Sequence, residues 1–376
     1  MNKRFLKDLV LDLVYFFGLV FLLFAPKKNN VRQVDESKPW LFISCFKIGD
    51  SLFLTSVYRE IKNKFPGVRL WVLVNNSGAR DILKNNPHIE KVIFVKNYLS
   101  GFIFLFKNIT RDFGAIFDYS AIFYWSLIAK SLRHKFYLIR ENQQKIGHFF
   151  FKNFEKFGWS RRYENQYIVN YYLSLVDFLG IKTSNNRMNI FFSADEAMRF
   201  KDKFSFLPEK YAIFHLSAGE PKNIWPYWAE FAPVFNKEFD LPVVFTGSDE
   251  NNKNNSFLTK RLVGGDNNFF FLAGKTSLRE ALWLVSRAEF YIGGDTGITH
   301  AAISFDKKVV MIFGRASDKL YCPDKKNIVC LKPKTLCYPC YAYDNVYYKC
   351  PNPSVPDCTK SITQEDILAV SRKIYG

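Results

Sequence analysis

The sequence predicts an α/β protein built as two Rossmann-like domains. Short apolar runs of strand length alternate with segments of helix length, and that alternation restarts after residues 183–209. The segments between run and helix are rich in Gly, Asp, Ser and Thr, as loops at the carboxyl ends of parallel strands should be. At 376 residues the chain exceeds one ordinary core and suits two. With 48% hydrophobic and 23% charged residues, it is not a disordered chain.

Taken in order, WLFISCF (40–46) reads as a buried strand, followed by a helix from about Ser51 to Lys64. A turn at Pro66-Gly67 leads into the strand RLWVLV (69–74), a helix around 78–84 and the strand KVIFV (91–95). Strand–helix–strand alternation implies parallel pairing with right-handed crossovers. Residues 100–182 are aromatic, basic and more helical, with no clear strand assignment. The second series is YAIFHLS (211–217), a helix near 227–238, LPVVFTG (241–247) and FFFLAG (269–274). A helix at 277–287, AEFYIGG (288–294), another helix and KVVMIFG (308–314) complete it. Residues 38–185 and 205–345 are the expected domains, with a Cys-containing tail and final helix over 337–376.

Charge is divided unevenly. Residues 1–182 hold 28 Lys and Arg against 14 Asp and Glu, a net +14 of the chain's +18. A field of that sign attracts anionic lipid, phosphorylated substrates or nucleic acid. No nucleic-acid-binding motif accompanies it, so lipid surface or anionic glycan is favoured and nucleic acid is not expected as a partner. An evenly basic surface would spread the excess over both halves.

Residues 9–25, LVLDLVYFFGLVFLLFA, form an apolar run between Lys3, Arg4 and Lys7 and the pair Lys27, Lys28. The run is shorter than the roughly 20 residues of a spanning helix. It also carries Asp12 one turn after Asp8. No cleavage pattern follows it. Residues 1–30 are therefore expected to associate with a membrane, lying in the interface, with a spanning or a buried helix as alternatives.

The loops carry the chemistry. Lys47-Ile48-Gly49-Asp50-Ser51 follows the first strand; Gly49 permits close approach. Asp50 serves either as a helix N-cap or as a carboxylate base. Gly293-Gly294-Asp295-Thr296-Gly297-Ile298-Thr299-His300 passes from strand to helix, placing free backbone amides where a diphosphate would bind. Asp295 caps that helix or holds the loop while Thr296 and Gly297 contact phosphate or sugar. His300 is a structural hydrogen-bonding residue or part of the donor site. Ser217-Ala218-Gly219-Glu220-Pro221-Lys222 offers a hydroxyl and a compact positive charge, and Gly247-Ser248-Asp249-Glu250 a carboxylate for ribose hydroxyls.

These segments together resemble glycosyltransferase family 9, the lipopolysaccharide heptosyltransferase family of GT-B fold. The resemblance is carried by FISCFKIGDSLFLTSVYREIKNKFPGVRLWVLV, FHLSAGEPKNIWPYWAEFAPVF, VVFTGSDE, FLAGKTSLREALWLVSRAEFYIGGDTGITHAA and KVVMIFG, from residue 40 to about 315. It implies two Rossmann-like domains facing an interdomain cleft and inverting, metal-independent transfer. The donor would be a nucleotide-diphosphate sugar, ADP-heptose or a related one, with no cofactor besides. Asp50 then matches the base on the acceptor hydroxyl, with Gly49 on the acceptor-side loop. Lys222 matches the lysine at the diphosphate, although it stands three positions before Trp225 where two are familiar. Ser217 matches a phosphate contact, Glu250 the ribose carboxylate, and Asp295, Thr296, Gly297 and His300 the donor loop.

In this fold the N-terminal half takes the acceptor, which here points to an anionic glycolipid at the cytoplasmic face of the inner membrane. Lys145, His148, Lys152, Arg161 and Arg162 are candidates for its anionic groups, or form a solvated basic face. A hexosyltransferase of the same fold, or a non-catalytic nucleotide-sugar-binding protein, are the competing readings.

Of seven cysteines, Cys45 falls in a strand, and secreted disulfide frameworks belong to much smaller chains, so a reducing compartment is expected. Cys337, Cys340, Cys350 and Cys358 have a spacing that would suit a structural zinc site, a disulfide pair or free thiols.

Overall fold

The computed structural model describes residues 34–45, 47–120, 123–139, 166–217, 224–248, 262, 268–340 and 357–375. The expected membrane segment 1–30, Lys145, His148, Lys152, Arg161, Arg162, Lys222, Glu250 and Cys350 lie outside them. Of the described residues, 34–51 and 57–139 form one compact unit, and 52–56 with 166–375 form the other.

The first unit contains β1 (Trp40–Ile43), α1 (Ile48–Lys64), β2 (Leu70–Val74), α2 (Ser77–Leu83), β3 (Lys91–Phe94) and α3 (Tyr98–Asn108). It continues with β4 (Asp112–Phe113), β5 (Ala115–Asp118), α4 (Phe123–Ser131), β6 (Arg133–His134) and β7 (Tyr137–Ile139). Its main sheet has the order β3-β2-β1-β5-β7, and β4 pairs with β6 alongside. All main-sheet pairs are parallel, with Trp40 opposite both Leu70 and Ala115. Every residue of β1 is buried. A parallel strand covered on both faces needs such an uninterrupted apolar run, and WLFI provides it. Each large side chain so buried contributes about 1.5–3 kcal/mol relative to exposure.

The second unit contains α5 (Ile168–Ser174), α6 (Ala194–Lys203), β8 (Ala212–His215), α7 (Trp228–Phe239), β9 (Val243–Thr246), β10 (Phe269–Phe271) and α8 (Leu278–Arg287). It ends with β11 (Phe290–Gly294), α9 (Gly297–Ser304), β12 (Lys308–Ile312), α10 (Asp318–Tyr321), β13 (Ile328–Leu331), α11 (Asp357–Lys360) and α12 (Gln364–Tyr375). Its parallel sheet has the order β10-β9-β8-β11-β12-β13. The core beside β8 is aromatic, with Phe214, Trp225, Trp228, Phe231 and Phe235 packed together. The closing α12 inserts Ile367 and Leu368 into this same cluster, and Trp225 Nε1 donates to Ile362 O at 2.8 Å.

Each sheet therefore has one point where the chain turns back on itself. It lies between β1 and β5 in the first and between β8 and β11 in the second. Loops at the carboxyl ends of those four strands border the crevices in which open α/β sheets bind ligands. Three strands of the two main sheets, β5, β7 and β13, and the short pair β4 and β6 were not visible as runs in the sequence. Helix α1 begins at Ile48, one turn before the expected start at about Ser51.

Candidate functional site

In the first unit, Lys47 is the N-cap of α1, so Asp50 is not the cap but the third residue of the helix. A carboxylate in that first turn faces the positive end of the helix dipole. Gly49 precedes it in the same turn and is partly buried. The neighbouring loop follows β5, where Ile43 of β1 is the register partner of Asp118.

Asp118 is a residue the sequence reading passed over. It is buried at the strand's carboxyl end and accepts hydrogen bonds from several donors. Ser120 N donates to Oδ1 at 3.0 Å and Ser120 Oγ to the same oxygen at 2.8 Å, while Tyr137 Oη, at 3.1 Å, and Ser126 Oγ donate to Oδ2. A buried carboxylate is stable only when so satisfied. Burial pushes the Tyr137 phenol well up, and the Asp118 charge adds to that, so the phenol remains a donor to the carboxylate. The arrangement fixes the loop 118–120 against α4. Its sequence signal was a lone Asp closing an apolar stretch, AIFD.

In the second unit, the site begins at His215, the last residue of β8. Its Nδ1 lies 3.0 Å from Thr246 Oγ1 of β9, and burial lowers its pKa to about 4, so the ring is neutral. Opposite it in register stands Gly293 of β11. A Cβ on Gly293 would lie 2.7 Å from Tyr291 Oη and 3.1 Å from His215 Cβ, so glycine is needed for this close approach. Ser217 lies just beyond β8, and its Oγ accepts from Ser248 N at 2.6 Å and donates to Ser248 Oγ at 3.2 Å. That ties the loop after β8 to the loop after β9. Gly247 makes room for it, since a Cβ there would stand 2.7 Å from Ser217 Oγ.

The loop after β11 is braced from within. Thr296, not Asp295, is the N-cap of α9, its Oγ1 accepting from Thr299 N at 3.4 Å. Thr299 Oγ1 in turn lies 3.1 Å from Thr296 Oγ1 and 3.0 Å from Tyr291 Oη, and donates to Gly294 O. The first amides of α9, at Gly297 and Ile298, have no acceptor within the helix, as at any helix start. Asp295 is thereby released from capping. Its Oδ1 lies 3.2 Å from Nε2 of His300, which is only 3% exposed.

His300 is held in its turn by rings. Phe53, in the stretch of α1 that groups with this unit, meets it edge-on at 4.8 Å, and Tyr321 lies at 6.1 Å. With Asp295 facing Nε2, that nitrogen carries the proton. Nδ1 is buried with no partner among the described residues. Tyr338 bonds the loop after β12 by accepting from Asp318 N at 2.8 Å and donating to Asp318 Oδ1 at 3.0 Å. Burial raises the Tyr338 phenol, and the charges of Asp318 and Asp295 raise it further, which places this tyrosine within electrostatic reach of the loop after β11.

Among the described residues no group of three or more His, Cys, Asp or Glu is arranged to hold a metal. Cys322 is joined by a disulfide to Cys330, linking the end of α10 to β13, in contrast to the reduced thiols expected from the sequence. Cys337 donates to Thr335 Oγ1 at 3.7 Å. Cys45 is a buried thiol whose pKa burial raises.

Two parallel, Rossmann-like units, each with polar loops at the switch point of its sheet, are the architecture of the GT-B fold. Residues 145–350, more than half of the chain, match the family described as glycosyltransferase family 9 (heptosyltransferase). The chain belongs to glycosyltransferase family 9 and is a glycosyltransferase. It is similar to lipopolysaccharide heptosyltransferase 1 of Campylobacter coli, at 24% identity over 284 residues, covering 71% of this chain and 81% of the relative. The glycosyltransferase family 9 structure from Veillonella parvula superposes with a TM-score of 0.76 at 16% identity, covering 92% of this chain and 99% of that one. The E. coli heptosyltransferase WaaC with ADP-2-deoxy-2-fluoro heptose gives 0.66 at 15% identity, covering 89% and 99%.

Proposed function

We propose that this glycosyltransferase moves a heptose, or a related sugar, from an ADP-activated donor to a lipopolysaccharide core or similar envelope glycolipid, with inversion and without a metal. The observation that carries the reading is the loop after β11. Its aspartate is kept out of the capping position and held by a buried histidine, beside helix amides that have no acceptor within the helix. Such a loop suits a sugar diphosphate: the amides take phosphate oxygens and the carboxylate takes sugar hydroxyls. The names of the similar proteins, a lipopolysaccharide heptosyltransferase and an enzyme bound to an ADP-heptose analogue, favour heptose and ADP.

In the proposed step, Asp50 removes the proton of the acceptor hydroxyl as its oxygen attacks the anomeric carbon. The bond to the diphosphate breaks through an oxocarbenium-like transition state. Negative charge growing on the leaving diphosphate is met by Lys222 and by the amides at the start of α9, the latter held in place by the helix before the reaction. Because Ser217 spends its proton on Ser248, Ser248 Oγ is the hydroxyl left to donate to an anionic ligand at that strand end. Glu250 takes the ribose hydroxyls. The enzyme works at the cytoplasmic face of the inner membrane, with residues 1–30 as its attachment.

The test is a panel of nucleotide sugars offered with cell-envelope glycolipid and read by mass spectrometry, with and without EDTA. The reading expects product from ADP-heptose, undiminished by EDTA, with the anomeric configuration inverted. Turnover of hexose donors alone, or of none, would contradict it.

A further inference from the structure

Phe102 to Phe106 of helix α3 are an unbroken apolar run that puts apolar side chains on every side of its central turn, a pattern that normally marks a helix buried all round. Its inner face is covered. Phe104 and Leu105 pack with Trp125, Ile128 and Ala129 of α4 and with Leu41 and Ile43 of β1. The opposite face is not. Leu99 is 68% exposed, Ile103 46% and Phe106 65%. At about 100° per residue these three positions fall within about 60° of one another on the helix surface, and the buried Phe104 and Leu105 lie across from them. They are among the largest exposed apolar side chains of the described residues, and they form one stripe.

The surroundings of the stripe say what covers it. Residues 91–111 contain Lys91, Lys96, Lys107 and Arg111 and no acidic residue, with Glu90 and Asp112 just outside. All four cations are exposed. Lys91 and Arg111 each stand 4.8 Å over the Trp71 ring, which keeps them on this side of the sheet. Two copies meeting through the stripe would bring these like charges together. The stripe is also small: a helix of 11 residues is about 17 Å long and about 10 Å wide. That covers well under the roughly 800 Å² per partner of a stable protein interface. At about 17 Å it cannot cross a bilayer. An apolar stripe rimmed by cations fits the surface of an anionic bilayer, with the three side chains in the acyl boundary and the cations among headgroups.

We infer that the outer face of α3 is a membrane-docking surface for anionic lipid, formed by Leu99, Ile103 and Phe106 with Lys96 and Lys107 beside them. The inference stands on this surface and not on the sugar chemistry. It gives the first unit a second lipid contact, independent of residues 1–30.

Attachment through residues 1–30 would also carry the full chain onto vesicles, so the decisive readout is local. Amide hydrogen exchange across 98–108 is measured in the full-length protein alone, with phosphatidylcholine vesicles, and with vesicles that also contain phosphatidylglycerol. The expected result is slower exchange of that segment with the anionic vesicles only. The protection should be lost in the variant Leu99→Ser, Ile103→Ser, Phe106→Ser, whose partition onto those vesicles should fall about tenfold or more. Since all three residues are exposed, melting of that variant should match the parent, and Val234→Ser on α7 should leave both readouts unchanged. Unaltered exchange over 98–108 on anionic vesicles overturns the inference. So does self-association in the absence of lipid that the triple change abolishes, which would make the stripe a contact between copies.

Discussion

Asp295 Oδ1 and His300 Nε2 stand 3.2 Å apart across the first turn of α9, with the histidine buried and the aspartate partly open. On the proposed function His300 is a positioning residue: it holds the Asp295 carboxylate, which Thr296 has released from capping, for the sugar diphosphate. His300→Ala should therefore raise the donor KM and lower kcat together, reducing kcat/KM about 10- to 100-fold, since displacement of a contacting group by about 1 Å costs about that much. Asp295→Asn should act in the same direction. The double variant should be little worse than the poorer single one, because the two act as a unit. Additive losses would separate their roles.

Asp118 makes the corresponding arrangement in the first unit. Asp118→Asn removes a charge that accepts from Ser120, Ser126 and Tyr137. Stability should fall by about 1.5–3 kcal/mol, the usual worth of a hydrogen bond to a charged group. If the loop it fixes meets the acceptor, the acceptor KM rises while ADP affinity by calorimetry is unchanged. A matching loss of ADP affinity would make the effect one of general destabilisation.

His215 gives the fold a pH dependence of known sign. Burial holds its folded pKa near 4, below the ordinary 6.5, so the unfolded chain binds the proton more readily. The contribution is complete above about pH 6.5 and is lost as pH falls toward 4, at most about 3 kcal/mol by linkage. Urea unfolding of the parent between pH 7 and 4 should show this loss, and His215→Gln should flatten that part of the profile. An unchanged slope in the variant would place the titration elsewhere.

Two glycines separate close approach from mere flexibility. Gly293→Ala drives a Cβ against Tyr291 Oη and His215 Cβ, so it should lower the melting temperature and weaken donor binding, because both neighbours border the site. Gly67→Ala, with nothing within 4 Å of the added carbon, should be neutral or stabilising by about 0.4–1 kcal/mol. Thermal unfolding of the pair checks both signs.

The strands β1, β2, β8, β9 and β11 were legible because burial on both faces leaves an unbroken apolar run. Strand β5 was not, and the residues that hid it explain why. Gly114 interrupts the run because a Cβ there would lie 1.8 Å from the Asp35 carbonyl oxygen, and Asp118 ends it as the hydrogen-bond acceptor described above. The loops of the site were legible from Gly, Asp and Thr at strand ends. Which residue caps which helix was not: Lys47 and Thr296 took the positions expected of Asp50 and Asp295. Capping depends on where the first turn starts, and that is fixed by tertiary contacts rather than by local preference. The disulfide between Cys322 and Cys330 escaped notice because β13 was itself unrecognised.

The most direct test of the account is the transfer rate of Asp50→Asn with ADP-heptose and envelope glycolipid, measured beside its affinity for ADP. A general base contributes about 10²- to 10⁴-fold, so kcat should fall by at least about a hundredfold while ADP binds as before. Transfer at nearly the parental rate by a folded variant would show that the acceptor proton leaves by another route.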